Sequence, residues 1–126
     1  SIEQQFRRMV FNIVARNQDD HVKNIAFLMD KKGRWSLSPA YDITYSYNPD
    51  GLWMSRHQMS LNNKRDLFTQ DDFDTCAAGV SMARGRAKAI VNEVVNVVND
   101  WLIFAEKAGV NSDWAAQIKL HHRLVF

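Results

Sequence analysis

Ile2, Phe6, Met9, Val10, Ile13 and Val14 recur at the spacing of one helical face, which predicts an amphipathic helix over residues 2–16. A polar stretch from Asn17 to Asn24 then reads as a loop between two apolar elements. Ile25-Ala26-Phe27-Leu28-Met29 is a continuous apolar run of strand length. Asp30 to Arg34 reads as a turn, with Gly33 free to take a positive φ. Trp35-Ser36-Leu37 alternates as a return strand, so the whole segment predicts a β-hairpin. Pro39 ends it, because proline lacks the donor a ladder needs. An aromatic and polar loop follows as far as Gly51. A second short extended stretch is expected from His57 to Leu61, with a tight turn at Asn62-Asn63-Lys64.

Beyond residue 64 the pattern is helical. Thr69 precedes Asp72 by three positions, a variant of the N-terminal capping signal, and opens a helix over 70–80. A long helix is expected over 83–108, with Ile90, Val91, Val94, Val95, Val98, Trp101, Leu102 and Ala105 on a broad apolar face. Its β-branched residues disfavour an isolated helix, so burial must hold it together. Gly109 is placed to cap its C-terminus. Ser112 is placed to cap a last helix through His121 or beyond, carrying Trp114, Ile118 and Leu124. The expected fold is α+β and mainly α, with one or two small hairpins. Residues 1–126 form one unit, divided into a loop-rich part (1–64) and a helical part (65–126).

Composition narrows the function classes. An excess of only two basic residues, with no dense run of Lys or Arg, speaks against a nucleic-acid binder. Arg7-Arg8 and the Arg84, Arg86, Lys88 group read as solvated helix faces. The single Cys76 excludes an internal disulfide and reads as a buried small thiol. No apolar run reaches membrane-spanning length and no secretory signal is present, so a reduced, cytoplasmic setting is expected. The chain opens at Ser1 directly on a helical pattern, as a segment of a longer protein would.

The chemistry is concentrated in the polar loop. A hairpin brings its two ends together, so Asn24, before the first strand, and Asp42, after the second, are expected close to each other, with Asp19 at the mouth of the same loop. Two carboxylates and an amide oxygen suit Mg²⁺, which prefers hard oxygen ligands and completes its shell with phosphate and water. The order also matches phosphoryl transfer: an Asp as base toward a hydroxyl, an Asn after four intervening residues and a second Asp beyond a hairpin as metal ligands. The Asp-x-x-x-x-Asn spacing alone is weak, because Asp is common in solvent-facing turns.

The wider block is more specific. Asn17-x-Asp19-Asp20-His21-x-Lys23-Asn24, an apolar strand, Gly33-x-Trp35-x-Leu37-Ser38-Pro39-Ala40-Tyr41-Asp42, and then His57-x-Met59-Ser60-Leu61, resembles the HipA family of serine/threonine kinases, the toxins of toxin–antitoxin pairs and their relatives. The resemblance runs from about Phe6 to Lys64. It implies the C-terminal lobe of a protein kinase, with Asp19 as the catalytic base and Asn24 and Asp42 as Mg²⁺ ligands toward bound ATP. His21 and Lys23 match family positions. His21 would contact phosphate or brace the loop, and Lys23 would contact phosphate or pair with a loop carboxylate. Asp20 falls at a position expected to vary and is left out of the core set. The resemblance also implies a protein substrate, a helix-turn-helix antitoxin as partner, and an upstream lobe supplying the nucleotide cover and anchoring lysine that the chain lacks.

Two other readings compete. A metal-dependent phosphoesterase would use Asp19, Asp42 and His57, and requires His57 beside the carboxylates. A non-catalytic docking module would present the long helices to a partner. In isolation, His57 reads as a surface residue, the adjacent His121 and His122 as surface, and Trp35, Trp53, Trp101 and Trp114 as packing residues.

Overall fold

The computed structural model describes residues 1–126 as five α-helices and one two-stranded antiparallel sheet, the α+β, mainly α architecture expected. Helix α1 (Ile2–Val14) buries Phe6, Val10, Ile13 and Val14, the apolar face of the sequence pattern. It stops short of the expected residue 16 because Arg16 takes a left-handed conformation (φ 62°) and Asn17 N–H donates back to Asn12 O at 2.9 Å, closing the helix end. Strands β1 (Phe27–Met29) and β2 (Trp35–Leu37) pair with Phe27 opposite Leu37 and Met29 opposite Trp35. Gly33 (φ 78°) makes the turn, and Asp30 Oδ1 accepts from Lys32 N–H and Arg34 N–H. Both strands are largely exposed, Trp35 included.

The second expected hairpin contracts to a tight turn. Leu61 and Lys64 exchange both backbone hydrogen bonds at 2.9 Å, and Asn62 and Asn63 between them both adopt positive φ. That is the conformation asparagine tolerates best after glycine.

Helix α2 (Gln70–Gly79) starts where Thr69 predicted. Asp72 Oδ2 accepts from Thr69 N–H at 2.8 Å, while its carboxylate also receives Asn62 Nδ2 (2.7 Å) and Lys64 Nζ (2.9 Å). These bonds, the one from Asn62 foremost, hold the buried Asp72 carboxyl well below the ordinary carboxylate range. A depressed carboxyl stabilises the fold above the unfolded-state pKa near 4, and this contribution is lost as pH falls through the folded value. Asp72→Ala is expected to cost about 3 kcal/mol at pH 7, since it removes a cap and strands its donors. Chemical-denaturant unfolding of both proteins at pH 7 and pH 3 checks this, and the difference should shrink at pH 3.

The predicted 83–108 helix is two helices, α3 (Arg86–Asn99) and α4 (Trp101–Lys107). The break falls at Asp100, whose N–H turns back to Val97 O. Asn and Asp compete for backbone hydrogen bonds, and this pair ends the helix after a run of β-branched valines. Gly109 (φ 75°) caps α4, with Val110 N–H donating to Ala105 O. Helix α5 (Ser112–His121) is capped by Asn111 rather than Ser112: its Oδ1 accepts from Asp113 and Trp114 N–H. Leu124 lies beyond this helix, in a tail packed on the core.

The core sits where α1, α2 and α3 meet, with Phe73, Ile13, Ile90 and Val10 fully buried. Arg7 and Arg86 are tied to Glu93 and Glu3 across α1 and α3, so these basic residues are ion-paired and not a free patch. Cys76 is a half-buried free thiol whose pKa is raised by burial, which keeps it protonated and inert. Trp53 is exposed like Trp35, and Trp114 is half exposed. Trp101, by contrast, packs and donates its Nε1–H to Ala115 O. The expected packing role therefore holds for Trp101, and for Trp114 edge-on to Tyr45 at 6.1 Å, but not for Trp35 and Trp53, because a three-residue hairpin and a loop leave large rings no second layer to enter. No helix is long and apolar enough to cross a membrane.

His121 and His122 are half-buried rather than exposed on the surface. His121 Nδ1 hydrogen-bonds Tyr45 Oη at 2.7 Å, and its carbonyl accepts Arg16 Nε–H. Burial, and then the charges of Lys119, Arg16 and His121, push His122 down to about 4. A histidine kept neutral in the fold stabilises it above its unfolded pKa of 6.5 and loses that contribution as pH falls toward 4. His122→Phe is expected to flatten the fall in stability between pH 6.5 and 4.5, read from urea midpoints across that range.

Candidate functional site

The closed end of α1 leads straight into the polar loop. Arg16 turns the chain, and Asn17, Gln18 and Asp20 are all buried. Asn17 Nδ2–H donates to Asn12 Oδ1 (3.0 Å) and to Asp42 O (3.4 Å), and Gln18 Nε2–H donates to Met54 O (3.1 Å). Asp19 is the exception: its side chain is 51% exposed and makes no hydrogen bond. A loop held by its neighbours thus presents one carboxylate outward.

A single 3₁₀ turn (Val22–Asn24) follows. Here Asn24 Nδ2–H donates to the Asp19 carbonyl at 3.3 Å, which leaves Asn24 Oδ1 available to a cation. Tyr41 Oη–H donates to Lys23 O at 2.8 Å and ties the far end of the hairpin to this turn. The next residue, Asp42, has a left-handed backbone (φ 52°) and an exposed side chain whose carboxylate has no hydrogen-bond or ionic partner. Asp tolerates that conformation at a modest energetic cost.

Asn24 and Asp42 line one cleft of about 110 Å³, together with Asp20, His21, Asn17 and Arg8. Arg8, in its wall, donates to Ser38 O. Asp19 stands beside this cleft and not in its wall. His21 is half-buried in the lining, with Nε2 3.9 Å from Asp19 Oδ1, too far for a hydrogen bond, and a buried Nδ1 without a partner. Lys23 is exposed and outside the lining. A larger apolar cleft of about 440 Å³, between α1, α3, α4 and α5, holds none of these residues. Ile43 lines both.

His57 overturns its sequence reading. It is fully buried, with Nδ1 2.6 Å from Asp20 Oδ2. Its partner is therefore Asp20 and not Asp19 or Asp42, which removes the histidine that a phosphoesterase would require. Asp20 and His57 are the buried pair that sequence reasoning missed. The signal was an acidic residue doubled at a loop, but the partner lies 37 positions downstream.

Asn24 Oδ1 and the Asp42 carboxylate are hard oxygen donors on one cleft, a fit for Mg²⁺ that takes its remaining ligands from phosphate and water. No group of three His, Cys, Asp or Glu side chains is placed to enclose a metal without them.

Neither curated proteins nor solved structures gave a match. A family model described as HipA-like C-terminal domain matches residues 1–102, which span α1 to α3 and every residue of the cleft. The chain belongs to the HipA-like C-terminal domain family.

Proposed function

We propose that the chain is the base- and metal-bearing lobe of an ATP-dependent protein serine/threonine kinase. The observation that carries this reading is the hydrogen bond from Asn24 Nδ2 to the Asp19 carbonyl, which ties the residue bearing an outward carboxylate to an amide side chain lining the same cleft as Asp42. Asp19 accepts the proton of a protein hydroxyl as that oxygen attacks the γ-phosphorus, and the displaced ADP leaves in line. Asn24 and Asp42 hold Mg²⁺, which when bound offsets charge on the phosphates. His21, in the cleft lining, is assigned to phosphate contact or to bracing the loop. Lys23, outside the lining, serves at most the approach of a charged ligand.

The nucleotide cover comes from an upstream lobe. The exposed Phe27, Leu28, Met29 and Trp35 of the hairpin give that lobe an apolar surface to meet. The same reading includes a protein substrate, a helix-turn-helix antitoxin as partner and a cytoplasmic setting, supported by the family resemblance alone. The test is transfer of labelled phosphate from Mg-ATP by the full-length protein to a protein acceptor, with EDTA and the isolated 126-residue chain as controls. Mg²⁺-dependent labelling of hydroxyl residues by the full-length protein alone is expected. Labelling at full rate by the isolated chain would remove the need for an upstream lobe, and none by either would remove the kinase reading.

A further inference from the structure

We propose that Asp20 and His57 brace the loop that carries Asp19, and so act as positioning residues for phosphoryl transfer. The role in transfer rests on Asp19 being the base; the brace itself does not.

Asp20 follows Asp19 but points the other way, with its side chain 2% exposed against 51%. Its Oδ2 meets His57 Nδ1 at 2.6 Å. Its Oδ1 accepts from Gln58 N–H at 2.8 Å and Met59 N–H at 3.3 Å. In the tautomer with its proton on Nδ1, the imidazole donates to this oxygen. Both oxygens are thus satisfied, and every donor comes from one distant segment. A carboxylate this deeply buried is tolerated only with such partners, which makes the loop's register strongly specified.

The anchor is itself fixed. His57 packs edge-on to Phe68, with ring centroids 5.4 Å apart. His57 N–H donates to Arg65 O at 3.0 Å, and Arg65 Nε–H returns to His57 O at 2.6 Å. Arg65 leaves the Asn62-Asn63 turn, which is pinned to Asp72 at the start of α2. The position of Asp19 is therefore set from α2, through the turn and His57, to Asp20. Displacing a reacting group by an ångström costs on the order of 10²-fold in rate, so loosening this brace must show in turnover.

The experiment uses the full-length protein with His57→Leu, which removes the donor, and His57→Asn, whose Nδ2 can stand near the imidazole Nδ1. Turnover is expressed per bound nucleotide, so that a loss of folded protein does not count, and amide hydrogen exchange is followed over residues 18–22. His57→Leu is expected to lower kcat about tenfold or more with KM for Mg-ATP within about twofold. It is also expected to speed exchange over 18–22 while α1 amides stay protected, and His57→Asn is expected to restore most of both. Unchanged turnover per bound nucleotide, or unchanged exchange over 18–22, would overturn the proposal and leave a packing contact. If the wild type transfers no phosphate, the kinase reading and the catalytic role fall together, while faster exchange in His57→Leu would still establish the brace.

Discussion

Replacing Asp19 by Asn in the full-length protein is expected to lower phosphate transfer from Mg-ATP by about 10²–10⁴-fold, the range that a positioned proton acceptor contributes. The substitution keeps size and shape and removes the group that takes the proton. Its structural cost is small, because the Asp19 side chain is half exposed and forms no hydrogen bond, while Asn17, Gln18 and Asp20 hold the loop. Unfolding midpoints are therefore expected to agree within about 0.5 kcal/mol. The bond from Asn24 runs to the main-chain carbonyl of residue 19 and survives the change, so Mg-ATP affinity should be preserved. Single-turnover transfer and nucleotide binding, measured on the same preparations, separate the two. Equal transfer by the variant would put the base elsewhere. Weaker nucleotide binding with normal single-turnover rates would make Asp19 a ligand and not a base.

The largest effect on stability is expected at Phe73, where Phe73→Ala should cost about 4 kcal/mol. Phe73 is fully buried in α2 and meets Phe6 of α1 edge-on at 6.5 Å and Phe126 of the tail at 5.2 Å. Truncation opens a cavity at the junction of three segments that cannot all close in on it. Aromatic pair energies of roughly 0.5–1.5 kcal/mol each add to the transfer term. With domain stabilities of about 5–15 kcal/mol, that loss leaves little margin. Urea unfolding against Trp53→Ala, an exposed ring expected to change stability by less than about 0.5 kcal/mol, measures it. A cost below about 1 kcal/mol at Phe73 would mean that the three segments are not packed as described.

Because Phe126 lies beyond the residues matched by the family model, this pair also joins the C-terminal tail to the family core. Arg123 adds to the join through its N–H to Val14 O and its guanidinium to Asp66. The end of the last helix and the tail thus pack against the segments that carry α1 and α2.

The features legible in the sequence are those decided within a few residues. The helical face of α1, the Gly33 turn, the Thr69–Asp72 cap and the Gly109 cap each depend on local backbone preference or a short side-chain reach, and all stand in the structure. The order Asp19, Asn24, Asp42 was legible too, since a hairpin returns its ends to each other whatever surrounds it, and Asn24 and Asp42 do line one cleft. What sequence could not decide was burial between distant positions. Asp20 looks like Asp19 by residue type, yet a histidine 37 places on takes it inward and leaves its neighbour outside. His57 looked superficial for the same reason. Trp35 and Trp53 looked like core and lie exposed. The break at Asp100 and the Asn111 cap are local choices that the sequence left open, because the apolar face runs on past Asn99-Asp100 and Asn and Ser cap helices about equally well. Local chemistry chose the elements and the candidate residues. Only the tertiary structure, by making buried polar groups find partners, decided which carboxylate faces out and which one holds it there.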